Sequence, residues 1–225
     1  MQPFASIYAN ALARKGKQEL ESRWPKKATA KQLAALPDDR YLAAMTRPIF
    51  QAGFAWKVIE SKWPGFEEAF HGFDPRALVA LSDKEVEALG KDTRIVRNLP
   101  KIRAVLENAQ YVLATSATHG GFGRYVAAWP SADIVGLWAE LKRDGSRLGG
   151  DTGPRFLRAV GKDIFILSGD VVTALVALGV VSKKPSSKRD LAAVQAAFNA
   201  WHDESGRDLG AISVTLACTV ASAGY

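Results

Sequence analysis

The sequence predicts an all-α protein. Apolar residues recur at helical spacing along the 225-residue chain, and no stretch of useful length alternates with a period of two. Helix-start signals stand at Thr29, at Asp74-Pro75 and at Ser82-Asp83-Lys84-Glu85, and a glycine-rich break separates two helical patterns near residues 145–153.

Taken in order, residues 4–23 carry Phe4, Ile7, Tyr8 and Leu12 on one helical face, followed by Arg14, Lys15 and Lys17. Tyr8 reads as a packing residue, or as a cleft residue if this helix lies across one. Trp24-Pro25 is a break, and Thr29 caps a short helix through Leu36. A long helical region begins at Asp38 with Tyr41, Leu42 and Met45 on one side. Pro48 is expected to start or kink the next helix, because proline lacks a backbone donor and fits best in a first turn.

That next helix is expected to contain Phe50-Gln51-Ala52-Gly53-Phe54-Ala55-Trp56-Lys57. A glycine in mid-helix costs roughly 1 kcal/mol relative to alanine, so Gly53 predicts close approach of another element or a ligand. Aromatic faces stack on flat bases and an amide reads a base edge, but an aromatic stripe at helical spacing is more often core. Composition alone favours core.

Downstream, Asp74-Pro75 gives a cap and a first helical residue, Ser82 to Glu85 forms a capping box, and Leu99-Pro100-Lys101 starts a helix with Ile102, Val105 and Leu106. Arg94, Arg97, Lys101 and Arg103 read mainly as a solvated face, with phosphate contact as the alternative. The segment from His119 to Arg124, rich in glycine, reads as a flexible connection, and His119 as an idle loop histidine. Residues 131–142 form an amphipathic helix through Ile134, Val135, Trp138 and Leu141.

Gly149, Gly150 and Gly153 then open a second helical pattern through Pro154, Phe156, Leu157 and Val160. In a glycine turn feeding a helix, backbone N–H groups point outward together and the helix dipole adds positive charge, so a phosphate fits there. Arg147, Arg155 and Lys162 flank it. After the apolar run 164–167, Ser168-Gly169-Asp170 precedes Val171, Val172, Leu175 and Val176, which makes Asp170 an N-cap or first-turn acid. A basic loop from Lys183 to Arg189 follows, then an amphipathic helix with Leu191, Val194, Phe198 and Trp201, and a mostly buried one over 212–220.

The net charge of +7 favours an anionic partner such as nucleic acid, although a solvated basic surface would give the same balance. Cys218 is the only cysteine, which excludes an intrachain disulfide framework and a cysteine-based zinc or iron–sulfur site. No apolar run approaches membrane-spanning length and Met1-Gln2-Pro3-Phe4 does not begin a signal peptide, so a cytoplasmic protein with no membrane contact is expected.

A glycine hairpin between helices, then a loop, then an acid at the start of the next helix resembles the signature of the helix-hairpin-helix DNA glycosylases. The segment from Gln51 to Lys57 is similar to the glutamine–alanine–glycine–aliphatic–serine–tryptophan motif of the constitutive bacterial 3-methyladenine enzymes of that superfamily. The likeness continues through residues 66–73, Asp74-Pro75, the acidic helix 82–89, Ile95-Val96-Arg97-Asn98, Lys101-Ile102 and Asn108-Ala109. It covers roughly residues 40–112, with 145–180 added by the hairpin region.

The resemblance implies a two-lobed helical unit, its lobe pieces approximately 1–37 with 181–225, and 38–180 holding the hairpin at 145–160. It implies a DNA repair glycosylase that flips an alkylated purine out of damaged duplex DNA and hydrolyses its N-glycosidic bond; a monomer is expected and, with no cysteine–histidine set, no metal or other cofactor. Trp56, with Phe54 or Phe50, would form the base platform, Gln51 and Tyr8 would complete the pocket, and Gly150, Gly153, Arg147, Arg155 and Lys162 would hold the backbone. Asp170 would assist catalysis or merely cap its helix. Counting back from Leu178-Gly179, the family's aspartate position falls nearer Ser168, which is the weaker alternative. Lys57 or Lys162 as a Schiff-base lysine has no support in its neighbours.

Two features depart from the 3-methyladenine enzymes. This chain has no cysteine–histidine zinc set, and Pro48, beside Arg47, stands where those enzymes place a base-contacting glutamate. They motivate an alternative, a non-catalytic DNA-binding protein on the same scaffold, and a third reading is a helical interaction protein without nucleic acid.

Overall fold

The computed structural model describes residues 1–220, and helices account for all the regular structure among them. In chain order the helices are α1 (Phe4–Lys15), α2 (Lys17–Ser22), α3 (Ala30–Ala35), α4 (Asp38–Gln51), α5 (Trp56–Ala69), α6 (Pro75–Val79), α7 (Asp83–Leu89), α8 (Leu99–His119), α9 (Phe122–Ala128), α10 (Ile134–Asp144), α11 (Thr152–Ala159), α12 (Gly169–Ala177), α13 (Lys188–Ser205) and α14 (Leu209–Cys218). Short 3-10 turns lie at His71–Phe73 and Ser131–Asp133. No helix among the described residues is long and apolar enough to cross a membrane.

The local start signals act as the sequence predicts. Thr29 and Ser82 make reciprocal capping boxes with Gln32 and Glu85, and Asp74 caps α6 ahead of Pro75. Three local expectations fail. Gly16, at φ 73°, splits the first helix into α1 and α2. Pro48 neither starts nor breaks a helix: it sits in the last turn of α4, where only one donor is lost before the helix ends at Gln51. Residues 119–124 are not a flexible connection. Gly120 ends α8 at φ 72°, Gly121 turns the chain at φ 134°, and α9 begins at once with the buried Phe122, whose N–H donates to Asp38 Oδ1 at 3.0 Å.

The described residues divide into two compact units, one of residues 28–129 and 137–162, the other of residues 1–27, 130–136 and 163–220. Residues 28–37 fall in the hairpin-bearing unit because α3 packs on α9. Residues 163–180 fall in the unit of the termini because α12 packs on α14. Both boundaries differ from those the sequence suggested.

In the hairpin-bearing unit α4 is the central element, with α5, α8, α9 and α11 against it. Its Tyr41 is fully buried, lies 5.2 Å from Phe122 and 6.2 Å from Phe156 between ring centres, and donates its hydroxyl to the Leu33 carbonyl at 2.9 Å. Each aromatic ring so buried contributes roughly 1.5–3 kcal/mol. In the unit of the termini α14 is central, with α1, α2, α12 and α13 packed on it. Phe165 stacks on Phe198 at 4.1 Å, and Cys218 is buried with Ala11 and Leu20. The extended segment before α12 is clamped to α14. Ser213 Oγ accepts from Ile166 N–H at 3.1 Å and donates to its carbonyl at 3.2 Å, while Gly210 N–H donates to Asp163 Oδ1 at 3.1 Å.

Candidate base pocket and DNA-binding hairpin

The aromatic motif is a turn, not a helix. Residues 52–55 link α4 to α5, and Gly53 stands at φ 77°, a left-handed conformation that disfavours any Cβ. A Cβ there would meet nothing within 4 Å, so glycine answers a backbone need rather than the close approach its mid-helix placement suggested. The turn carries Phe54 and Trp56 outward, 39% and 52% exposed, and Val58 is exposed beside them. Phe50 faces the other way, fully buried edge-on against Phe66 at 4.7 Å. It supports the turn from the core and has no open face for a base, which corrects its expected place in the platform.

The turn is held by a residue that the sequence misplaced. Lys101, read as a surface or phosphate-contacting cation, is only 7% exposed. Its ammonium donates to the carbonyls of Phe50 at 3.2 Å and Ala52 at 2.5 Å, the orphan acceptors at the end of α4, where a cation also suits the helix dipole. It lies 4.7 Å over the Phe54 ring. Burial, and then the nearby Arg147 guanidinium, hold its pKa below the ordinary lysine value.

Gln51 donates to Glu60 Oε1 at 3.0 Å, and Arg47 pairs with the other oxygen of the same carboxylate while lying 3.9 Å over the Trp63 ring. Glu60 thus brings a carboxylate to the motif from α5. It was not singled out in the sequence, and its one signal is its place one turn after Trp56 on the same helix.

The hairpin joins α10 to α11. Arg147 and Gly150 both take left-handed backbone, at φ 57° and 59°, and Asn108 closes the loop by donating to the Ser146 carbonyl at 3.0 Å and accepting from its N–H at 2.8 Å. Gly153 is buried, and a Cβ on it would lie 2.5 Å from the Leu148 carbonyl oxygen. The N–H groups of Gly150, Asp151 and Gly153 have no acceptor among the described residues, and Asp151 provides no side-chain cap. Such a turn can take an anion.

Arg147 and Arg155 are exposed and form no ion pair among the described residues. The Arg155 guanidinium lies 5.0 Å over the Trp56 ring, so the hairpin and the aromatic turn meet within one unit. Lys162 does not join them. It is only 6% exposed and its ammonium donates to the Trp129 carbonyl, which removes it both from backbone contact and from Schiff-base chemistry.

The remaining candidates lie in the unit of the termini. Ser168 is the N-cap of α12, its hydroxyl accepting from Val171 N–H at 3.3 Å, and Asp170 is a first-turn acid rather than the cap. The Asp170 side chain is half-buried, and its carboxylate makes no hydrogen bond among the described residues. Tyr8 is engaged: it donates to Glu21 at 2.7 Å and lies under Arg207, whose guanidinium is 5.5 Å from its ring. That bond to Glu21 raises its pKa above the ordinary tyrosine value.

Residues 35–144 match the methyladenine glycosylase family model. Directly after it, the glycine turn and α11 follow α10 and complete a helix–turn–helix hairpin. Its fold is that of the helix-hairpin-helix DNA glycosylases.

A DNA-3-methyladenine glycosylase of Haemophilus influenzae is 28% identical over 76 residues, 34% of this chain and 41% of that protein. DNA-3-methyladenine glycosylase 1 of Escherichia coli is 36% identical over 63 residues, 28% of this chain and 34% of that protein. The chain therefore spans less than half the length of these curated relatives. Among solved structures, 3-methyladenine DNA glycosylase I of Staphylococcus aureus superposes with a TM-score of 0.51 at 20% identity, covering 69% of this chain and 85% of the other. The 8-oxoguanine glycosylase/lyase of Methanocaldococcus jannaschii, solved with DNA containing 8-oxoguanine, gives a TM-score of 0.51 at 12% identity, covering 95% of this chain and 94% of the other. At these identities the structural likeness carries the fold alone.

Proposed function

We propose that this protein is a DNA repair glycosylase that flips an alkylated purine of the 3-methyladenine kind out of duplex DNA and hydrolyses its N-glycosidic bond. The observation that carries the reading is the exposed aromatic turn with Phe54 and Trp56, set against a hairpin whose N–H groups await an anion. A protein that merely clamps DNA has no use for such a turn.

Flipping costs a few kcal/mol, and stacking on Trp56 and Phe54 offsets part of it. An N3-alkylated purine is cationic and gains roughly 0.5–2 kcal/mol over an aromatic face. It is also a good leaving group. The C1′–N bond breaks with its electron pair going to the base, which departs neutral, and water adds to C1′ while its proton passes to the Asp170 carboxylate. Ser168, engaged as a cap, has a structural role in this scheme. The protein is taken to work as a cytoplasmic monomer on double-stranded DNA, with no metal in the reaction.

The test is release of free 3-methyladenine and 7-methylguanine from methylated duplex, followed by mass spectrometry, with Asp170→Asn and Trp56→Ala alongside. Release by the wild type that falls at least tenfold in both variants, with duplex binding intact, is the expected result. No release, with tight salt-sensitive binding, would instead support the second reading, a DNA-binding relative without catalysis. The protein cations already seated on the rings of Phe54 and Trp56 favour that reading.

A further inference from the structure

Arg155 is the fourth residue of α11, directly behind the hairpin N–H groups that lack acceptors. It is exposed, has no carboxylate partner among the described residues, and rests over Trp56, the most exposed aromatic ring of the candidate pocket. The position it occupies on that ring is one a flipped cationic base would take. Arg155 itself stands in the first turn of the helix that this phosphate-suited turn feeds, two residues after Gly153.

We propose that Arg155 is a positioning residue shared by the two sites. In the free protein it covers Trp56, and a phosphodiester seated at the hairpin draws it away and opens the ring to the base. The proposal rests on the glycosylase reading above and adds a coupling to it: the pocket becomes available when DNA backbone is bound. The relative strengths favour the exchange. An exposed cation–π contact is worth only about two- to fivefold in an equilibrium constant, whereas charge-assisted, bidentate guanidinium–phosphate bonds are among the strongest surface hydrogen bonds. One cation thus serves as a removable cover in the free state and as a backbone ligand in the complex.

Two ligands test this with effects of opposite sign. Free 3-methyladenine, titrated by calorimetry, is expected to bind Arg155→Ala about two- to fivefold more tightly than the wild type, since the cover is gone. An undamaged duplex, titrated by fluorescence anisotropy over a salt series, is expected to bind the same variant more weakly, with the log–log salt slope smaller by about one unit. Arg155→Lys keeps the charge and is expected to keep the salt slope.

A general disturbance of the fold would weaken both ligands together. Weaker or unchanged binding of the free base by Arg155→Ala, or an unchanged salt slope, overturns the proposal. Base release by the wild type is scored separately. Its absence rejects the glycosylase reading, while release combined with either contrary result for Arg155→Ala rejects only the role of Arg155.

Discussion

Gly153→Ala tests whether the hairpin is shaped by close packing. Gly153 is helical, so alanine brings no backbone strain and would by itself favour the helix by up to about 1 kcal/mol. Against this, the new Cβ would lie 2.5 Å from the Leu148 carbonyl oxygen and 3.5 Å from Leu141 Cδ1. A carbon and a carbonyl oxygen approach to about 3.3–3.6 Å, so the carbonyl must retreat by about 1 Å. It belongs to the backbone of the hairpin itself and cannot rotate out of the way. Overpacking of this kind costs about 1–3 kcal/mol, which exceeds the helix gain, so a net loss of about 0–2 kcal/mol is expected.

Duplex affinity should fall further than stability, because the displaced segment carries the N–H groups proposed to hold phosphate. Urea unfolding and salt-resolved anisotropy measure the two effects. Gly169→Ala is the matched control: a Cβ there meets nothing within 4 Å, and neither property should drop. A Gly153→Ala protein as stable as the wild type and equal to it in duplex binding would refute the packing argument.

Tyr41 makes stability depend on alkaline pH. Burial, and then the Asp38 carboxylate, push its pKa well above 10 in the folded state. The unfolded chain releases this proton from about pH 10 upward and then binds fewer protons than the native state. Stability should therefore hold below pH 10 and fall above it by about 1.4 kcal/mol per pH unit from this group. Tyr41→Phe should remove that slope and cost about 0.5–1.5 kcal/mol at neutral pH for the lost hydrogen bond, the Leu33 carbonyl keeping the Leu36 N–H at 3.3 Å; chemical denaturation at pH 7 to 11 measures both. Lys101→Met leaves the Phe50 and Ala52 carbonyls without their donor, and is expected to cost about 1–3 kcal/mol and to reduce base release. Unchanged unfolding in that variant would show that the turn does not depend on the lysine.

What the sequence determined by itself was the all-α class, the capped helix starts and the hairpin, since caps and glycine turns act over a few neighbouring residues. Thr29, Asp74 and Ser82 satisfy N–H groups two or three positions away, and Gly149 to Gly153 announces a turn into a helix wherever it is packed. The aromatic motif was legible as a composition but not as a turn, because Pro48 marks the last turn of α4 only once Lys101 is known to close that helix from fifty residues away. Side-chain placement was decided by tertiary structure. Two lysines that read alike with the arginines as surface cations are buried on the carbonyls of Ala52 and Trp129, Phe50 faces the core while Phe54 faces out, and Arg155 finds Trp56 across about a hundred residues of chain. Whether a charge meets water, a carbonyl or a ring depends on which distant element covers it, and no local pattern carries that information.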